Sequence, residues 1–413
     1  MSDNFFTISP PKPLFEVADV FDLFMDDYRQ QYNTSHRQEE VIRAIMACRT
    51  PEMGGVVNKC DDCGAMQFVF KSCGDSHCPK CGKFRKAEWV ARQEILELPV
   101  PYFHVTFTTD HAINVLITAN QKEMLDAIFW AASTTLKKFG EKYLGGQIGF
   151  TAVLHTWGQT MIQHVHVHFI VPGGALSKDG KTYQKSGKSY LFPAEELSAQ
   201  FRDRLCRRVK KLKKQKKLKL VGAAAEVNVG QMVKEMLAKK WEVYIQAFEE
   251  VENLYTYLSR YVHQVAISNH RIINIDRQEK SVTFRYKDNK DGGQEKEMTL
   301  PAETFIGRFL WHVLPRGFWR IRHYGLHHGS CRKRLSQARA LLGLDKEIPA
   351  VEKLSLSRWL EELFGEDVLN KCAHCGGQNM SRHGQYDSFN PAQMELIKYA
   401  ILNTAKREPA AVA

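Results

Sequence analysis

The run Gln163-His164-Val165-His166-Val167-His168-Phe169-Ile170-Val171-Pro172-Gly173-Gly174 sets the architecture expected of the chain. Val165, Val167, Phe169, Ile170 and Val171 are β-branched or aromatic, and Pro172-Gly173-Gly174 ends the run, so a strand is predicted. Alternate residues of a strand point to one face, about 7 Å apart at each i, i+2 step. His164, His166 and His168 therefore share a face, with apolar residues filling the other. A lone strand histidine is commonly a satisfied core residue, but three in register against an apolar opposite face are not explained that way. Neutral imidazoles from one strand suit a divalent cation that keeps positions open for water or phosphate. The expectation is a catalytic metal site held by His164, His166 and His168.

The flanking sequence extends this strand into a sheet. Tyr102 to Thr108 is predicted as a strand, Asn120 to Phe139 as an amphipathic helix (Met124, Leu125, Ile128, Phe129, Ala132, Leu136), and Phe150 to Trp157 as a second strand. This β-α-β-β order predicts an α+β fold, with an antiparallel-rich sheet, helices on one side and the histidine strand central. Lys178 to Phe192 is polar and predicted as a hairpin insertion. Its Gly187-Lys188-Ser189 invites a P-loop reading, but that motif needs a glycine where Thr182 stands, so no nucleotide cofactor is expected.

Ten cysteines carry a second signal. Cys60-x2-Cys63, a 14-residue spacer and Cys78-x2-Cys81 have the spacing of a structural zinc site, each pair giving two thiolates. Cys73 and His77 lie inside the spacer as alternative ligands, so four are to be chosen from six. Near the C-terminus, Cys372 and Cys375 offer half of a second zinc site, its partners to be sought among His374, His327, His328 and Cys331. Three C-x2-C pairs in a long chain point to metal in a reducing compartment and away from a disulfide framework. With no apolar leader at Met1 to Pro13 and no 18-residue apolar run, a cytoplasmic protein without a membrane span is expected.

At 413 residues, 44% hydrophobic and 25% charged, the composition is that of a globular protein of several domains. The net charge of +12 favours polyanionic partners. It concentrates in Arg207, Arg208, Lys210, Lys211, Lys213, Lys214, Lys216, Lys217 and Lys219, nine cations in thirteen residues without an acid. Counterions or phosphates must relieve that repulsion, which makes the run a candidate DNA contact, although charge runs are also common as solvated faces. A second basic patch, rich in aromatics, runs from Trp311 to His328.

Val251 to Gln264 is predicted as a helix, on which Tyr257 and Tyr261, four apart, share a face. Alone they suggest a packed aromatic stripe. Beside a histidine metal face they suggest nucleophiles: a tyrosine oxygen attacks a phosphodiester to give a covalent 5′-phosphotyrosine and a free 3′-OH.

The H-hydrophobic-H strand with a downstream Y-x3-Y helix resembles the HUH tyrosine nucleases. Within them the chain is similar to the rolling-circle insertion-sequence transposases of the IS91 type. The matching pieces occur in order: Cys78-Pro-Lys-Cys81, Pro99-Val-Pro-Tyr-Phe-His-Val-Thr-Phe107, His164-Val-His-Val-His168, Tyr257-Leu-Ser-Arg-Tyr261-Val-His-Gln-Val-Ala-Ile-Ser-Asn-His270, Phe284-Arg-Tyr-Lys-Asp288, His312-Val-Leu-Pro-Arg-Gly317 and Arg320-Ile-Arg-His-Tyr-Gly325. The resemblance implies a transposase that nicks single-stranded DNA at element ends, hairpins included, and transfers it to a target. It implies Mg2+ or Mn2+ at His166 and His168, with His164 as third ligand or its neighbour, nucleophiles at Tyr257 and Tyr261, and a zinc-binding DNA-recognition module at Cys60, Cys63, Cys78 and Cys81. The expected organisation is a helical region (1–54), a zinc module (55–97), an HUH nuclease domain (98–290, basic insertion 178–220) and a basic C-terminal region (291–413). Rival readings are a plasmid replication initiator or relaxase with the same chemistry, and a non-catalytic zinc-dependent DNA-binding regulator.

Overall fold

A computed structural model describes residues 5–7, 13–81, 89–90, 92–248, 265–288, 291–349, 370–387, 395 and 397. The central element is a five-stranded sheet of β4 (Tyr102–Thr108), β6 (Gly149–Trp157), β7 (Gln163–Pro172), β10 (Val243–Phe248) and β14 (Ile321–Gly325), in the order β10-β4-β7-β6-β14. Every neighbouring pair is antiparallel, and the histidine strand β7 is third of five.

The strand period sorts the two faces of this sheet. Phe103, Val105 and Phe107 of β4, Val165, Val167, Phe169 and Val171 of β7, and Phe150, Ala152 and Leu154 of β6 all enter one core. Two long helices cover that face, α4 (Gln121–Leu144) and α5 (Ala194–Lys214). The shorter α3 (Asn114–Ala119) and α6 (Val229–Ala238) add Leu116, Ile117, Val233 and Met236 to the same core. Phe107 lies edge-on to Phe169 at 5.3 Å and to Phe201 of α5 at 4.9 Å, which fixes the helix over the sheet. Each such fully buried ring contributes about 1.5–3 kcal/mol of transfer free energy. The opposite face is apolar only toward the C-terminal end of β7, where Trp89, Tyr102, Val153 and Ile170 cluster. Beyond Ile170 that face turns to histidine.

A second core joins elements far apart in sequence. Helices α1 (Val17–Gln31) and α2 (His36–Ala47) pack with the meander β11 (Ile272–Asp276), β12 (Ser281–Asp288), β13 (Gln294–Pro301) and the helix α7 (Ala302–Trp311). Met161, at the tip of the turn between β6 and β7, is buried in this core, so the turn beside the histidines is anchored to the second body. A third unit is a four-stranded sheet of β1 (Phe5–Thr7), β2 (Gly55–Cys60), β3 (Met66–Phe70) and β15 (Met380–Tyr386), in the order β1-β3-β2-β15. The predicted insertion is the hairpin of β8 (Gly174–Ser177) and β9 (Tyr183–Lys185), with the short β5 (Gly146–Gln147) on its other edge. Val265 to Ile267 form a bend leading toward β11.

Candidate metal centres and DNA-facing surfaces

Three histidines converge on the face of the central sheet opposite α4 and α5, and they are not the three of one strand. His166 and His168 of β7 are joined by His155 of β6, and their ring nitrogens lie within 4.8 Å of one another. Ligands shared by one ion stand about 3–4.5 Å apart, so the set is close to a binding arrangement before any adjustment. The predicted third member, His164, is outside the cluster. Residues i and i+4 of a strand are about 13 Å apart, too far for both end rings to meet one ion. The register instead places His155 directly opposite His166, about 5 Å away between Cβ atoms. His164 lies beside His111, ring centroids 5.4 Å apart, and supplies a backbone carbonyl to the site.

That carbonyl matters. His166 Nδ1 donates to His164 O at 2.8 Å, which leaves Nε2 with the lone pair a metal requires. His168 Nδ1 lies 2.7 Å from His104 Nε2 and 3.1 Å from Thr106 Oγ1, both from β4, so its Nε2 is likewise turned toward the cluster. His155 and His168 are buried, while His166 is partly open to solvent. Burial, reinforced by the nearby histidines, holds His168 well below the ordinary imidazole value and takes His166 down to about 4. Burial alone takes His104 to about 4. The imidazoles are therefore neutral at pH 7, the form that binds metal. Tyr257 and Tyr261 lie outside the described residues.

The cysteines also group differently from the predicted set. Cys78 and Cys81 meet Cys48 and Cys73, whereas Cys60 and Cys63 meet Cys372 and Cys375. Cys60 and Cys63 end the ribbon β2 and start the turn to β3, which carries them away from Cys78 and Cys81. In the first cluster Sγ of Cys81 is 3.5 Å from that of Cys48 and 3.6 Å from that of Cys73. The edge of a tetrahedral zinc tetrathiolate is about 3.8 Å for bonds of 2.3 Å. Cys48, the ligand that sequence spacing missed, caps the C-terminus of α2 with no x2 partner to flag it. His77 is excluded as a ligand by its own bonds: Nδ1 pairs with Asp75 at 2.9 Å and Nε2 accepts from Leu314 N at 3.1 Å. His327, His328 and Cys331 have no part in either cluster.

The basic run lies largely on α5. Leu197, Phe201, Leu205, Val209 and Leu212 bury its inner stripe, while Arg207, Lys210, Lys211, Lys213 and Lys214, with Lys216 and Lys217 beyond the helix, are exposed. Arg208 is half-buried and stacks over Trp130 at 5.5 Å. Because α5 covers the apolar face, these cations and the histidine cluster lie on opposite sides of the sheet. In the second basic patch His312 is buried, holding Thr156 Oγ1 and Met161 O at 3.0 Å each, while Trp319 is 77% exposed.

Two cysteine clusters and a histidine cluster on the central sheet define a protein with several candidate metal centres, and comparisons with known proteins give its class. Residues 20–109 match a family described as a transposase zinc-binding domain, and residues 149–334 match one described as a putative transposase. The chain is 37% identical over 372 residues to the putative transposase y4qJ of Sinorhizobium fredii, covering 87% of this chain and 92% of that protein. It is 24% identical over 348 residues to the transposase for insertion sequence element IS801 of Pseudomonas savastanoi pv. phaseolicola, covering 82% of each. The chain belongs to the IS91 family of transposases, DNA-processing proteins. No solved structure matches it. Among the described residues no helix is long and apolar enough to cross a membrane.

Proposed function

We propose that this transposase nicks and transfers single-stranded DNA at His155, His166 and His168, using Tyr257 and Tyr261 as nucleophiles, in rolling-circle transposition of an insertion sequence. The observation that carries the reading is the three-histidine cluster on the polar face of the central sheet, with each β7 ring oriented through its Nδ1. A divalent ion there, Mg2+ or Mn2+, would polarise the scissile phosphate and stabilise its developing charge. The protein residues do the rest. The tyrosine oxygen bonds to phosphorus as the bond to the 3′ oxygen breaks, the phenolic proton leaves, and the 3′ oxygen is protonated. Bond energy is kept in the linkage, so rejoining to a target needs no nucleotide cofactor. His104 and Thr106 orient the His168 ring through its Nδ1, and the His164 carbonyl fixes the tautomer of His166. Cys48, Cys73, Cys78 and Cys81 are the ligands of the zinc-binding domain.

Covalent trapping tests this reading. The protein is incubated with a labelled single strand carrying its element end, hairpin included, with Mn2+ or with EDTA, and run on a denaturing gel. A metal-dependent protein–DNA adduct is expected, absent from Tyr257→Phe/Tyr261→Phe and from His166→Ala. DNA binding with no adduct under any condition would overturn it.

A further inference from the structure

We propose that Cys60, Cys63, Cys372 and Cys375 bind a second zinc ion, which clamps residues 370–387 onto the N-terminal sheet. Half of this ligand set lies beyond the residues matched by the zinc-binding family, so that match does not account for it. Sγ of Cys60 is 3.7 Å from that of Cys375, and Sγ of Cys63 is 3.7 Å from that of Cys372. Both spacings agree with the about 3.8 Å edge of a zinc tetrathiolate.

The backbone around the four sulfurs has the form of two matching knuckles. Gly64 N donates to Cys60 O at 2.8 Å, and Gly376 N donates to Cys372 O at 2.9 Å. The two glycines have φ of +73° and +74°, a conformation that side chains other than glycine rarely adopt. Thiolates with metal attached gain from backbone donors, and here His374 N points to Cys372 Sγ and Gly377 N to Cys375 Sγ, each at 3.4 Å.

The apolar packing around the four sulfurs is small, although Tyr386 adds a separate contact on Val57 and Phe68. Among the described residues the packing at the sulfurs comprises buried Cys60, Ala65 and Cys372, with Cys63 and Met380 against them. Ribbons with so little core depend on a metal for their folding energy. What the clamp secures is visible in the register: β15 pairs antiparallel with β2, Met380 opposite Cys60 and Tyr386 opposite Gly55. Asn379 Nδ2 donates to Asp62 Oδ1 at 2.6 Å, extending the contact past the strands. Because the ligands come from both ends of the chain, the site forms only once the C-terminal pair has been synthesised.

The test counts thiolate-bound zinc in the full-length protein, releasing it with a mercurial and reading it with a chromogenic chelator. Two zinc ions per chain are expected, falling to one in Cys372→Ser/Cys375→Ser, in Cys60→Ser/Cys63→Ser and in Cys48→Ser/Cys73→Ser. One zinc in the unaltered protein, unchanged in Cys372→Ser/Cys375→Ser, would overturn the clamp. A second measurement does not depend on cysteine variants folding. A protease site placed between residues 349 and 370 is cut, and the C-terminal piece should stay bound until zinc is chelated. Release before chelation, or retention after zinc is gone, would also overturn it. Both readouts are independent of DNA nicking.

Discussion

At the residue scale, the proposed ion is held by two neighbours on one strand and a third across the ladder. His155→Ala should therefore abolish adduct formation and Mn2+ binding as completely as His166→Ala. His164→Ala should preserve both, since its contribution to the cluster is a backbone carbonyl that alanine retains. Parallel Mn2+ titrations by calorimetry distinguish the two, and equal effects at His155 and His164 would contradict the geometry. His104→Ala removes the nearer of two partners of His168 Nδ1 and should weaken Mn2+ about 10–100-fold, the usual cost of removing an outer-shell partner. Acid should destabilise the fold. His104 and His166 titrate near 4 in the folded protein, below the ordinary 6.5, so the unfolded chain binds the extra protons between those values. Their neutral burial costs nothing above pH 6.5, and stability should fall as pH drops from 6.5 toward 4. Thermal melts of the metal-free protein across that range would show it.

At the element scale, α5 does two jobs on two faces. Its buried stripe belongs to the main core, so Leu205→Ala should destabilise by about 2–5 kcal/mol, read by denaturant unfolding. Its outer cations are separated from the histidines by the sheet. Replacing Lys210, Lys211, Lys213 and Lys214 with alanine should weaken single-stranded DNA binding uniformly across sequences. The salt slope should fall by about 0.7 for each phosphate that is no longer neutralised. Adduct yield at saturating DNA should remain. An unchanged salt slope would make this run a solvated face only.

At the scale of the whole molecule, the strands β4, β6 and β7, the helix α4 and the central position of the histidine strand were legible from sequence, whereas the edge strands β10 and β14 were not. Strand and helix periods are local, and the apolar residues of β4, β6, β7 and α4 repeat at those periods without interruption. The residue types for metal were legible for the same reason: His166-x-His168 and the three C-x2-C pairs announce ligands at short range. Their partners were not. His155 becomes a neighbour of His166 only through the ladder between β6 and β7, and Cys48 reaches Cys81 only when α2 folds back. Cys60 meets Cys375 across most of the chain, through the pairing of β15 with β2. A ligand set is a statement about distance in space, and spacing along the chain bounds that distance only within one element. Residue type and local propensity were therefore enough to say which side chains can bind metal and which segments carry them. Which of those side chains share an ion depends on strand register and chain closure, which bring together residues that no local pattern relates.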